Sequence, residues 1–87
     1  MSFDNLPPDT DEKALRAFLR RIEYSLEMIN RRLKRFEEDF GMDSEVFYAK
    51  LQNAELEERL EYAEWAGTHE MQQRLLRQRD ELRRRLM

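Results

Sequence analysis

Leu15, Leu19, Ile22, Leu26, Ile29, Leu33, Phe36 and Phe40 follow one another at steps of four, three, four, three, four, three and four residues. That rhythm puts all eight side chains on one narrow stripe of a single helix, the seam geometry of a coiled coil. Alone in water such a helix is not stable, because its hydrogen bonds seldom offset the entropy lost in ordering it. The stripe therefore requires another helix, in the same chain or in a second one.

At 87 residues the chain makes one small domain, a size at which a single core is marginal and oligomerisation or a partner is a common remedy. Forty per cent of its residues are charged and only two are glycine, a composition of long solvent-exposed helices that is poor for sheets. The expected fold class is all-α. No cysteine is present, so no disulfide can help, which fits a reducing cytosol. No apolar run is long enough for a signal peptide or a membrane span. A soluble, cytoplasmic protein is the expectation.

Residues 1–8 end in Pro7-Pro8 and lack periodicity, the pattern of a mobile N-terminal arm; residues 9–87 are expected to form a single helical domain. Asp9, Thr10 and Asp11 offer N-cap oxygens, and Glu12 adds negative charge to the first turn. A first helix is expected over about 10–40, with the basic cluster Arg31, Arg32, Lys34 and Arg35 in its last turns and Gly41 as its left-handed stop. Asp43, or Ser44 in its place, then caps a restart in which Met42 staples onto Phe47. This short second helix spans about 44–52. Asn53 and Ala54 mark a weaker break. Beyond it Leu56, Leu60, Ala63, Trp65, Met71, Leu75, Leu82 and Leu86 recur at helical spacings over about 55–86.

Two long helices of similar length predict an antiparallel helical hairpin with the short helix at its bend, so that Phe40 lies near Leu56 and Leu15 near Leu82 and Leu86. Two helices alone do not shield both sides of these large side chains. The expectation is therefore a coiled-coil-like, oligomeric helical bundle: a homodimer or tetramer whose oligomer seam is the stripe Leu15, Leu19, Ile22, Leu26, Ile29, Leu33, Phe36 and Phe40, or a hairpin completed by another protein. Leucine at a and isoleucine at d lean toward more than two strands.

Net charge is −3, but its distribution is blocked. Residues 13–35 carry eight bases and two acids, whereas residues 36–69 carry ten acids and two bases. In a hairpin the acidic block gathers at the bend and the basic blocks lie along the body, with acidic residues 9–12 beside Arg83, Arg84 and Arg85.

Little in the chain suggests catalysis. His69 is the only histidine, and the residue three before it is Ala66, so no Glu-x-x-His metal motif exists. Carboxylate pairs such as Glu57 and Glu61 have no apolar pocket to tune them. There is no glycine-rich phosphate loop and no Ser/His/Asp arrangement. No catalytic residue, cofactor or metal is expected. Arg77, Arg83, Arg84 and Arg85 are candidates for phosphate contact, but Asp80 and Glu81 interrupt them and bases favour helix C-termini for local reasons. Nucleic-acid binding is not favoured. Aromatic residues cluster about the bend, first of all as a core. Tyr48, Tyr62 and Trp65, with Glu57, Glu58 and Glu61, are the candidate partner-binding residues, since Trp and Tyr often anchor interfaces.

The run Phe36-Glu37-Glu38-Asp39-Phe40-Gly41-Met42-Asp43-Ser44-Glu45-Val46-Phe47-Tyr48, followed by Leu51, Glu55-Leu56, Glu64-Trp65 and Glu70-Met71, resembles a group of small helical prokaryotic proteins described as antitoxin components of toxin–antitoxin systems. The shared features are structural: a phenylalanine-rich helix end, a Gly-Met turn, a Ser-x-x-Phe restart and a tryptophan-bearing last helix. Ala54 departs from the pattern, which calls for glycine there, and implies that helices two and three run together. The resemblance implies a non-enzymatic protein–protein interaction module that self-associates and inhibits one co-encoded toxin, commonly an RNA-directed enzyme with a basic working surface. The alternative is a structural, self-assembling coiled-coil protein.

Overall fold

Three helices make up nearly all of residues 12–87, the part of the chain that the computed structural model describes: α1 (Glu12–Phe40), α2 (Ser44–Gln52) and α3 (Leu60–Leu86). The arm expected over 1–8 and the capping residues Asp9, Thr10 and Asp11 lie outside the described residues. Among those described there is no strand, and the long helices α1 and α3 pack against each other as an all-α hairpin.

The antiparallel register is fixed by polar pairs as well as by the stripe. Gln72 Nε2 donates to Asn30 Oδ1 at 2.8 Å, and Arg83 reaches Glu23 at 3.2 Å, so positions rise along α3 as they fall along α1. Near the open end Leu15, Ile22, Leu26 and Leu82 form one core cluster, with Leu19, Leu75, Leu76 and Leu86 packed on it. Nearer the bend, Ile29 and Leu33 join Phe47, Tyr62, Trp65 and Ala66 in a second. The expected proximity of Leu15 to Leu82 and Leu86 is present.

The heptad stripe is thus the seam within the hairpin. Leu15, Ile22, Leu26, Ile29 and Leu33 are buried in the single chain, and Leu19, Phe36 and Phe40 are partly buried. Expected as an oligomer seam, it is covered by α3 in the single chain, and burying it takes no second copy.

Three local expectations also change. The final turn of α1 holds Glu37, Glu38 and Asp39 and no base, so the basic cluster stops one turn short of the end it was expected to complement. Glu12 pairs with Arg16 at 2.5 Å, whereas Arg83 pairs with Glu23 and Arg85 approaches Glu81. Helices two and three do not run together. Ala54 adopts φ +57°, and its N–H donates to Leu51 O while Glu55 N–H donates to Lys50 O, the paired bonds of a Schellman stop. The chain then runs without regular structure, bending at Leu56, to an extended Arg59, and α3 begins at Leu60, five residues later than expected.

The apolar face of α3 differs from the one expected. Its buried face is Tyr62, Trp65, Ala66, Thr68, His69 and Leu82, and Leu60, Ala63 and Met71 fall off it into solvent.

Candidate interaction surface at the bend

The bend is organised by one polar relay across all three helices. Gly41 takes φ +66° and turns the chain so that Ser44 N–H donates to Glu37 Oε2 at 2.8 Å. A carboxylate from the last turn of α1 therefore caps α2, while the N-cap residue Asp43 makes no side-chain cap bond. The Ser44 hydroxyl in turn accepts the indole N–H of Trp65 at 2.9 Å, with both residues buried.

Around this relay the aromatic rings interlock. Phe47 stacks on Trp65 with centroids 3.8 Å apart and planes within 3°. Phe36 and Phe40 stack on Trp65 at 5.6 Å, and Tyr62 meets Phe40 and Phe47 at 5.4 and 5.3 Å. Contacts of this kind add about 0.5–1.5 kcal/mol each beyond the area they bury. Trp65 and Tyr62, expected as partner anchors, are buried among these rings. For Trp65 that expectation is corrected, since a partner cannot reach it without opening the core; Tyr62 is 9% exposed and keeps a small part of its surface on a groove. Tyr48 is half-buried and donates its hydroxyl to Glu70 Oε2 at 3.1 Å. Burial first, and then Glu70, push its pKa above the ordinary 10.0.

What the bend offers to solvent is a groove of about 420 Å³ lined by Leu51, Glu58, Arg59, Leu60, Tyr62 and Ala63. Leu60 is 71% exposed, a large apolar side chain left outside because the α3 register points it away from α1. Exposed Glu57, Glu58 and Glu61 stand about it. Of these Glu61 pairs with Arg59 at 3.1 Å, and Glu57 and Glu58 are in no ion pair with another described residue. Glu38, Asp39, Asp43, Glu45, Glu55 and Glu64 extend the same exposed acidic end. Arg59 lies over the rings of Phe40 and Tyr62, 5.6 and 5.3 Å from their centroids. Burial works against its charge, but Glu61 and Tyr62 hold its pKa above the ordinary value. Arg59 is itself exposed and shares the groove wall with Glu58, so the acidic end includes one cation, paired with Glu61.

A second cleft, of about 450 Å³, lies between α1, the start of α2 and α3 and is lined by Asn30, Leu33, Glu37, Ser44, His69 and Gln72 among others. His69 is only 7% exposed, its ring lies 4.8 Å from that of Tyr48, and its Nδ1 has no hydrogen-bond partner. Among the described residues no group of three or more His, Asp or Glu side chains is placed to hold a metal ion, and no helix is long and apolar enough to cross a membrane.

The phosphate-contact candidates do not form one strip. Arg77 and Arg84 share the solvent face of α3, seven residues apart, whereas Arg83 and Arg85 are drawn sideways to Glu23 and Glu81. The structure thus places Glu57, Glu58 and Glu61 on one exposed end, half-buries Tyr48 and buries Tyr62 and Trp65. The residues that sequence reasoning left off the site are Leu51, Leu60 and Ala63. A helical wheel drawn through Tyr62, Trp65 and His69 puts Leu60 on the opposite side, and that mismatch was the available signal. Comparison of the chain with protein-family models, with curated proteins and with solved structures finds no match, so the resemblance of residues 36–71 stands on those residues alone.

Proposed function

We propose that this chain is a non-enzymatic helical interaction module whose acidic bend docks on a basic surface of a partner protein. The observation that carries this reading is the Leu51, Leu60 and Ala63 groove set among exposed carboxylates. An apolar anchor in predominantly acidic surroundings combines desolvation at the centre with steering and selectivity at the rim.

Glu38 and Asp39 add support. They are exposed in the last turn of α1, where negative charge opposes the helix dipole. A sequence that keeps charge where it costs local stability is expected to use it elsewhere.

An antitoxin-like inhibitor of a co-encoded toxin, acting in a reducing cytoplasm, is the specific form of this proposal, and its support is the resemblance of residues 36–71 and the absence of cysteine. The self-assembling coiled-coil reading draws less support, because α3 covers the stripe on which it rested.

Charge reversal tests the proposal. Glu57→Lys, Glu58→Lys and Glu61→Lys together lose partner binding by about tenfold or more, while helix content is kept. Undiminished binding by the reversed bend removes the acidic end as the contact.

A further inference from the structure

The outer face of α1 carries a second pattern that the hairpin leaves unused. Arg21, Tyr24, Met28, Arg32 and Arg35 follow at steps of three, four, four and three, so they share one side of the helix over about 21 Å. Tyr24 is 66% and Met28 45% exposed. None of the three arginines is in an ion pair with another described residue, and Arg20 lies beside Tyr24 in a shallow depression that also takes in Ala17, Arg21 and Ser25. This face therefore has an apolar pair at its centre and cations around it.

It is the chemical counterpart of the bend, where Leu51, Leu60 and Ala63 line a groove with Glu58 and Arg59 and exposed Glu57 and Glu61 lie within three positions of Leu60. We propose that in the free protein the Tyr24 and Met28 face of α1 on one copy seats in the Leu60 groove of a second copy, and the reverse, as a staggered antiparallel dimer. A two-fold axis makes both contacts at once, because each copy supplies one basic face and one acidic groove, and the assembly closes instead of propagating. The dimer occupies the groove assigned above to a basic partner, so self-association and partner binding compete for it. The inference uses that groove but is tested on the purified chain alone, where no partner contributes to the outcome.

The experiment is sedimentation velocity on the full chain as salt rises from about 0.01 M to about 1 M, which shortens the Debye length from about 30 Å to about 3 Å. The expected result is a dimer at low salt that dissociates as salt rises. Arg32→Glu with Arg35→Glu, and separately Glu57→Lys with Glu58→Lys, each weaken the dimer about tenfold or more. An equimolar mixture of the two variants restores it, because each then meets the opposite charge at both contacts. All four positions are exposed, and circular dichroism verifies that both variants keep the helical fold. A wild-type monomer at low salt overturns the proposal. So does a dimer indifferent to salt and to both reversals, or a mixture that fails to reassociate.

Discussion

The indole N–H of Trp65 on α3 donates to the hydroxyl of Ser44 at the first position of α2, 2.9 Å away and out of reach of solvent. Through Ser44 N–H and Glu37 Oε2 the same relay reaches α1. One hydroxyl-bearing residue thus ties all three helices and sets the angle at which the acidic bend leaves the hairpin.

Ser44→Ala strands a buried donor, and a group left unpaired in this way costs about 1–3 kcal/mol. Urea unfolding of Ser44→Ala, followed by circular dichroism, is expected to show that loss. Adding Trp65→Phe removes the donor as well, so the double variant falls short of the sum of the two single losses.

Ala54 at φ +57° and Gly41 at φ +66° sit at the same left-handed position after their helices, yet only one is glycine. Ala54→Gly relieves the strain of a side chain there and raises stability by roughly 0.5–1 kcal/mol after the extra chain entropy of glycine is counted. Gly41→Ala moves in the opposite direction by about 1 kcal/mol. Thermal melts of both variants check the two signs.

Glu38 and Asp39 face the negative end of the α1 dipole. Glu38→Gln and Asp39→Asn each stabilise the chain by about 0.3–1 kcal/mol at low ionic strength, and added salt erases the gain. If the acidic end is the working surface, the same pair weakens partner binding while the melting temperature rises.

The Tyr48 hydroxyl is favoured in its protonated form in the folded chain, through burial and then Glu70. Because its folded pKa lies above the unfolded value of 10.0, its contribution to stability is fully present below that pH and is lost as pH rises through the folded pKa. Tyr48→Phe removes this component, so the variant's melting temperature falls less steeply than that of the wild type above pH 10.0 and the two run parallel below it.

Much of the fold was legible because it rests on period and punctuation. The stripe from Leu15 to Phe40, the glycine at 41 and the Met42, Asp43 and Ser44 restart each specify a local structure, and α1 and α2 form where those signals lie. That the stripe packs on α3 of the same chain was legible only as one of two arrangements, since intramolecular and intermolecular seams have the same heptads; in the structure Asn30 pairs with Gln72 and Glu23 with Arg83 within the chain. Ala54 misled for a related reason: a left-handed stop made by alanine has no residue-type signature, and it delays α3 by five residues. Helix phase then buries Tyr62 and Trp65 and leaves Leu60 exposed. The acidic residues Glu57, Glu58 and Glu61 were visible in composition, whereas the apolar floor beside them depends on helix phase, which a wheel through Tyr62, Trp65 and His69 gives and a list of apolar spacings does not.

The central claim is that the acidic bend is the surface through which this protein acts. Its most direct measurement is affinity purification from source cells at native expression, comparing the wild-type chain with the Glu57, Glu58 and Glu61 charge-reversal variant and determining the identity and stoichiometry of whatever co-elutes. The account predicts a single partner with a basic surface, recovered at a fixed ratio with the wild-type chain and lost from the variant. Recovery of the same partner with both chains, or of the wild-type chain with itself alone, contradicts it.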